Sequence, residues 1–178
     1  MRPPSPVLAT ALLARLGQLG LFSAETLLLL DRQVREERIG LVMTAAAAGG
    51  ALAQLAAGRW GHRLRPALVT LLGTLLQTSG CLGFAVLTPW WGLAAADALV
   101  MAGSALTGTG LRTTLAAPPP PEPATEPARL ERDYGRLTAA QMLGALLGPL
   151  CAGAAMFHGS TGAAWLATGA ALAATAVA

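Results

Sequence analysis

Lysine is absent from this 178-residue chain, whose 12 basic side chains are all arginine. With the Ala and Gly excess, this fits GC-rich coding and carries no functional reading. Charge of either sign is scarce: 12% of residues, where soluble domains carry about a quarter. Hydrophobic residues make up 54% and the mean hydropathy is +0.56, which excludes an ordinary soluble domain and points to a membrane protein. The two cysteines, Cys81 and Cys151, both fall inside apolar runs, so they define neither a disulfide framework nor a metal site. No Gly-rich phosphate loop, His/Cys cluster or zinc spacing is found, so neither a cofactor nor a metal is expected. A pI near 9.7 would suit a nucleic-acid binder. Such a protein, however, needs a basic face with stacking aromatics, and these arginines sit in short clusters beside apolar runs. The N-terminus lacks a small-residue cleavage site after a short core, so it reads as a retained first span and not a signal peptide.

What is abundant is apolar length. A hydrocarbon core about 30 Å thick needs roughly 20 apolar residues in a helix, because lipid offers backbone groups no hydrogen-bond partners. Runs that meet or approach this length extend from Pro6 to Leu30, Ile39 to Ala57, Ala67 to Leu87, Trp90 to Leu111, Leu137 to Phe157 and Thr161 to Ala178. They predict an all-α integral membrane protein with six transmembrane helices in a single domain over residues 1–178. The breaks are DRQVREER, QLAAGRWGHRLRP, TPWW, a loop over residues 112–136, and HGST.

Arginine placement sets the orientation, since cytoplasmic loops carry the excess of positive charge. With the N-terminus inside, Arg2, Arg59, Arg63, Arg65, Arg112, Arg129, Arg132 and Arg136 are cytoplasmic. Arg32, Arg35 and Arg38 are outside, offset by Asp31, Glu36 and Glu37. Both termini are then cytoplasmic, and Trp90 and Trp91 sit at the outer interface. In the 112–136 loop, PPPPEP forms an extended polyproline spacer. The following PARLERDYGRL spaces Leu130, Tyr134 and Leu137 as a short surface helix.

Within the spans, small residues and charges are the informative positions. Gly50 and Gly58 in the second span, and the pair Gly144 and Gly148 in the fifth, would let helix backbones approach closely. GALAQLAAG and GALLGPLCAG hint at a repeat of three spans plus three spans. On a helical wheel, Arg15, Gln18, Glu25 and Thr26 share an arc of roughly 100°. Asp97, Ser104 and Thr107 share one of about 80°. Intramembrane charges usually face a bundle interior or water. We therefore take Arg15, Gln18, Glu25, Asp97, Ser104 and Thr107 as candidates for a solute path. One carboxylate would exchange protons, because burial disfavours its charged form. The other reading has Glu25 and Asp97 reaching to the outer headgroups and Arg15 pairing inside the bundle.

Three features resemble the N-terminal six-helix half of a major facilitator superfamily transporter. That family carries G-x-x-x-D-R-x-G-R-R between its second and third spans. Here QLAAGRWGHR matches at Arg59, Gly61 and Arg63, with His62 as a basic substitute, Gln54 in place of the first Gly and Gly58 in place of the Asp. The fifth span resembles the family's G-x-x-x-G-P-x-x-x-G through Gly144, Gly148, Pro149 and Gly153, and a basic loop ending in Arg132 to Arg136 precedes it. The Arg that many drug exporters carry in the fourth span is missing, since Ala95 to Gly103 holds no basic residue. The resemblance implies secondary transport of a small solute, export in exchange for protons, no enzymatic activity, and a cavity lined by the first and fourth spans. It also implies that the Arg59–Arg63 loop works as a gating latch, which Gly58 deprives of its acidic partner. The loop arginines are further expected to cap the carbonyl end of the second span.

In that family the path lies between two six-span halves. The sixth span runs to Ala178 without a flanking Arg or polar cap, and about 17 residues reach only some 26 Å; the end reads as cut. The expected partners are the lipid bilayer, a small-molecule solute, and a second six-span half or a second copy, in the plasma (inner) membrane. The alternative is a non-transporting scaffold or transporter relic. HGSTG is superficially similar to the G-x-S-G of intramembrane proteases, but Thr161 holds the nucleophile position and His158 lies on the same segment instead of a separate helix.

Overall fold

The apolar runs fold as helices, the one open structure that satisfies every backbone group internally in lipid. The computed structural model describes residues 5–116, 126–159 and 161–178. Among these are six helices: α1 (Ser5–Asp31), α2 (Glu36–Trp60), α3 (Pro66–Val86), α4 (Trp90–Ala116), α5 (Glu126–Met156) and α6 (Gly162–Val177). Four segments are long and apolar enough to cross a membrane unaided: Pro6–Asp31, Glu36–Trp60, Pro66–Val86 and Leu130–Met156. At 27 residues α4 has the length, but Gly, Ser, Thr and Asp dilute it. α6 is apolar and 16 residues long.

Local chemistry sets the helix ends. Gln33 adopts φ 54 and closes α1, while the Val34 N–H returns to the Leu29 carbonyl at 3.0 Å. Glu36 and Glu37 occupy the first turn of α2, where negative charge suits the helix dipole. Pro66 opens α3, its missing N–H costing nothing there. A 3-10 turn at Gly61–Arg63 joins α2 to α3. The 112–136 segment is more helical than its sequence indicated: α4 continues through Ala116, and PARLERDYGRL runs into the fifth span as one helix. The segment is rich in good helix formers, and Arg136 lies 3.9 Å from Asp133 one turn away. The PPPPEP spacer lies outside the described residues.

Packing shows the three-plus-three repeat. α1 lies against α5 and α6, α4 lies against α2 and α3, and α3 meets α6. Exchanging α1–α3 for α4–α6 reproduces this pattern. A close seam joins α3 and α4 through glycines seven residues apart on each helix: Gly73 lies against Gly103 and Thr107, Gly80 against Ala96 and Val100, and Gly110 against Pro66 and Thr70. A Cβ on Gly73 would meet the Thr107 backbone, and one on Gly103 the Gln77 backbone. α1 and α5 meet where expected: a Cβ on Gly148 would lie 2.7 Å from the Leu16 carbonyl oxygen. Gly153, the last glycine of that motif, is exposed with open space around it, and Pro149 is exposed too. In α2 the close approach, to Ala98, belongs to Gly49; Gly50 has ordinary contact with Met101 and Gly58 touches nothing. Leu52 and Leu55 on α2 and Met142, Leu146 and Leu150 on α5 turn outward.

Candidate functional site

The residues on the two predicted stripes separate into two compartments. The first is a cavity of about 400 Å³. It occupies the half of the bundle that holds the start of α1, the end of α2 and the end of α4. Arg15, Gln18, Ser104 and Thr107 all line it. So do Gln54, Gln77, Arg112 and Gln141, none of which lay on a stripe. Space exists because the wall is otherwise built from small residues such as Ala11, Ala14, Gly50, Ala105 and Gly108.

Gln18 is the hub of the polar network. Its Oε1 accepts from Arg15 Nη1 at 2.6 Å and from the Ser104 hydroxyl at 2.6 Å, and its Nε2 donates to Met101 Sδ at 3.5 Å. Gln77 Nε2 donates to the Ala14 carbonyl at 2.6 Å across the α1–α3 contact. That bond fixes the amide orientation and leaves Gln77 Oε1 buried without a partner. Thr107 Oγ1 is likewise buried without a partner.

The second compartment is a gap of about 10 Å³ walled by Leu21, Phe22, Val100 and Met101, with Glu25 and Asp97 inside it. It lies at the lower limit of the space one water needs. The two carboxyl side chains are 2% and 4% exposed, so neither reaches out to headgroups. Glu25 from α1 and Asp97 from α4 are thus brought side by side in one closed gap. Glu25 Oε1 is buried without a partner. Gln18 and Met101 belong to both compartments and form the septum between them. Thr26, the last member of the α1 stripe, faces outward.

Among the described residues Arg15 makes no ion pair: its bond is to the neutral Gln18. The loop residues form no such network. Arg59, Arg63 and Arg65 are exposed without ion-pair or hydrogen-bond partners among the described residues. Gly61 N–H, not an arginine side chain, caps α2 by donating to the Ala57 carbonyl; Arg59 stays in the last turn, where its charge alone suits the helix dipole. The side chain of His62 lies outside the described residues. The space beside Gly58 is open, so packing does not explain the missing acid. At the other end of the bundle the arginines are engaged: Arg38 lies over the Trp90 ring at 5.4 Å, Arg32 donates to the Ala85 carbonyl at 3.3 Å, and Arg35 pairs with Glu37 at 3.1 Å.

Gln77 and Met101 were missed because neither a polar residue alone on an apolar helix nor a Met among alanines signals a site. Arg112 and Gln141 were assigned to a loop and to a packing helix. No curated protein matches the chain in sequence. The model of the Major Facilitator Superfamily matches residues 7–178. That match spans nearly the whole chain, and with the repeated three-helix packing it makes this multi-pass membrane protein a member of the Major Facilitator Superfamily.

Proposed function

We propose that this chain forms one six-span wall of a secondary transporter that exports a small solute in exchange for protons across the plasma (inner) membrane. The observation that carries this reading is the pair of buried carboxyls, Glu25 and Asp97, which line one small gap behind Gln18 and Met101 directly beside a polar cavity. A proton-coupled carrier needs a group that exchanges a proton next to the solute, shielded from free water until a conformational change exposes it. With the N-terminus cytoplasmic, as the arginine distribution favours, the cavity faces the cell interior and the acid pair lies on its outer side. The far wall of the path belongs to a second six-span half or to a second copy of this chain, and the exposed apolar faces of α2 and α5 suit either that contact or lipid.

The test is flux in proteoliposomes under an imposed pH gradient. Asp97→Asn and Glu25→Gln, which keep shape and remove the exchangeable carboxyl, are expected to lower gradient-driven flux about a hundredfold, within the range ascribed to a positioned proton-transfer group. Unchanged flux in both variants would remove the proton role. A second reading, a non-transporting six-span scaffold, draws support from Gly58 and the partnerless Arg59 and Arg63. It predicts no solute-dependent flux and full tolerance of charge removal at Arg15, Glu25 and Asp97.

A further inference from the structure

The two arginines facing the large cavity stand out because no acid among the described residues balances them. Arg15 and Arg112 are the charged residues on its described wall, and no carboxylate shares that wall. Neither guanidinium makes an ion pair among the described residues. Glu25 and Asp97 sit behind the septum in the smaller compartment. Asp133 and Arg136 on α5 do not line the cavity. A charge on a bundle wall is costly unless water or an opposite charge meets it.

Two further groups on that wall, Gln54 and Gln141, carry amides that both donate and accept. Thr107 Oγ1 and Gln77 Oε1, though unpartnered, are buried away from the cavity, Thr107 Oγ1 against Gly73. A simple inorganic anion would meet Arg15 and Arg112 but offer no donor to the amide oxygens. A cation or a neutral apolar molecule would leave both arginines unmatched.

We infer that the cavity binds a small organic anion, a carboxylate or phosphate ester that also carries a hydroxyl or N–H donor. Its anionic group meets Arg15 and Arg112, and its donor meets the amide oxygen of Gln54 or Gln141. The inference takes from the transport reading only the location of the solute site, and names the class of solute found there. The same anionic chemistry is present in a phosphatidylglycerol headgroup, and the bilayer is its second source.

The experiment measures equilibrium binding to the full chain in phosphatidylcholine nanodiscs, using three radiolabelled probes of one shape: mandelate, its neutral amide, and the cationic 2-amino-1-phenylethanol. Mandelate is expected to bind at least about tenfold more tightly than the other two, as one desolvated charge contact allows. Arg15→Gln is expected to weaken mandelate about tenfold and the more exposed Arg112→Gln about threefold. Arg15→Lys, which keeps the charge, is expected to fall between Arg15→Gln and the parent. Should Arg15→Gln fail to assemble, Arg112→Gln and Arg15→Lys carry the comparison. Competition by phosphatidylglycerol that disappears in the Arg15 variant would support the anion site and assign its phosphate source to lipid. Failure of mandelate to bind, binding of the amine as tight as that of the acid, or indifference of mandelate to both arginines would overturn the inference. Proteoliposome flux separates this from the transport reading. Binding without flux keeps the anion site and removes transport, whereas amine flux indifferent to Arg15 and Arg112 does the reverse.

Discussion

The two compartments between α1 and α4 hold the same kinds of polar residue and treat them differently. Arg15 and Glu25 are separated by about 15 Å along α1, yet one faces a cavity of about 400 Å³ and the other a gap of about 10 Å³. The difference comes from side-chain size. Ala11, Ala14, Gly50, Ala105 and Gly108 leave space at the level of Arg15, whereas Leu21, Phe22, Val100 and Met101 fill it at the level of Glu25. Open space lets a solute or water satisfy a charge. Closed space withholds both from the carboxyls.

Both compartments depend on α4 being seated against α3, so the largest effect is expected from Gly103→Leu. Its side chain would enter the Gln77 backbone, and overpacking at a helix seam of this kind costs about 3 kcal/mol or more. Thermal unfolding in detergent, followed by helical signal, should show the assembled state lost or strongly weakened. The same variant would collapse the distinction between compartments, because both share α4.

A second expectation concerns access. A cysteine placed at Ala105, on the cavity wall, should react with a hydrophilic thiol reagent about a hundredfold faster than one at Val100, whose labelling requires local opening. Native Cys81 is fully buried and Cys151 only partly exposed, which keeps the background low. Equal rates would abolish the difference between open and closed compartments.

Stability should divide the same way. Asp97→Ala removes the polar neighbour of a carboxyl buried in a closed gap and is expected to cost about 2 kcal/mol. Ser104→Ala removes a hydrogen bond to Gln18 on the wall of an open cavity, where water can replace it, and should cost about 0.5 kcal/mol. Denaturation in mild detergent would measure both, and a reversed order would place the solvent boundary on the wrong side of Gln18.

The spans were legible from apolar length, and the stripe on α1 already joined Arg15, Gln18 and Glu25. Gly144 and Gly148 were legible as contact positions because a four-residue spacing keeps them on one helix face, which meets α1. The α3–α4 seam was not read, although Gly73, Gly80, Gly103 and Gly110 repeat every seven residues. In a chain with 21 glycines that repeat is hard to tell from background. Gly58 was read as a packing position and touches nothing, because it lies near the end of α2, beyond its contact with α4. The division of the stripes was equally hidden, since a helical wheel records angle and discards depth.

By itself the sequence determined that the chain crosses lipid in helices, since apolar length and backbone hydrogen bonding allow nothing else. It also put carboxyls on α1 and α4. Only the tertiary structure decided that Glu25 and Asp97 share one gap, that Gln18 and Met101 stand between them and the cavity, and that Gln77 Oε1 and Thr107 Oγ1 are left without partners. Each of these depends on the rotation and depth of helices far apart in the chain. Those are set by how closely backbones approach at glycine and alanine, which the hydrophobic pattern of any single helix does not record.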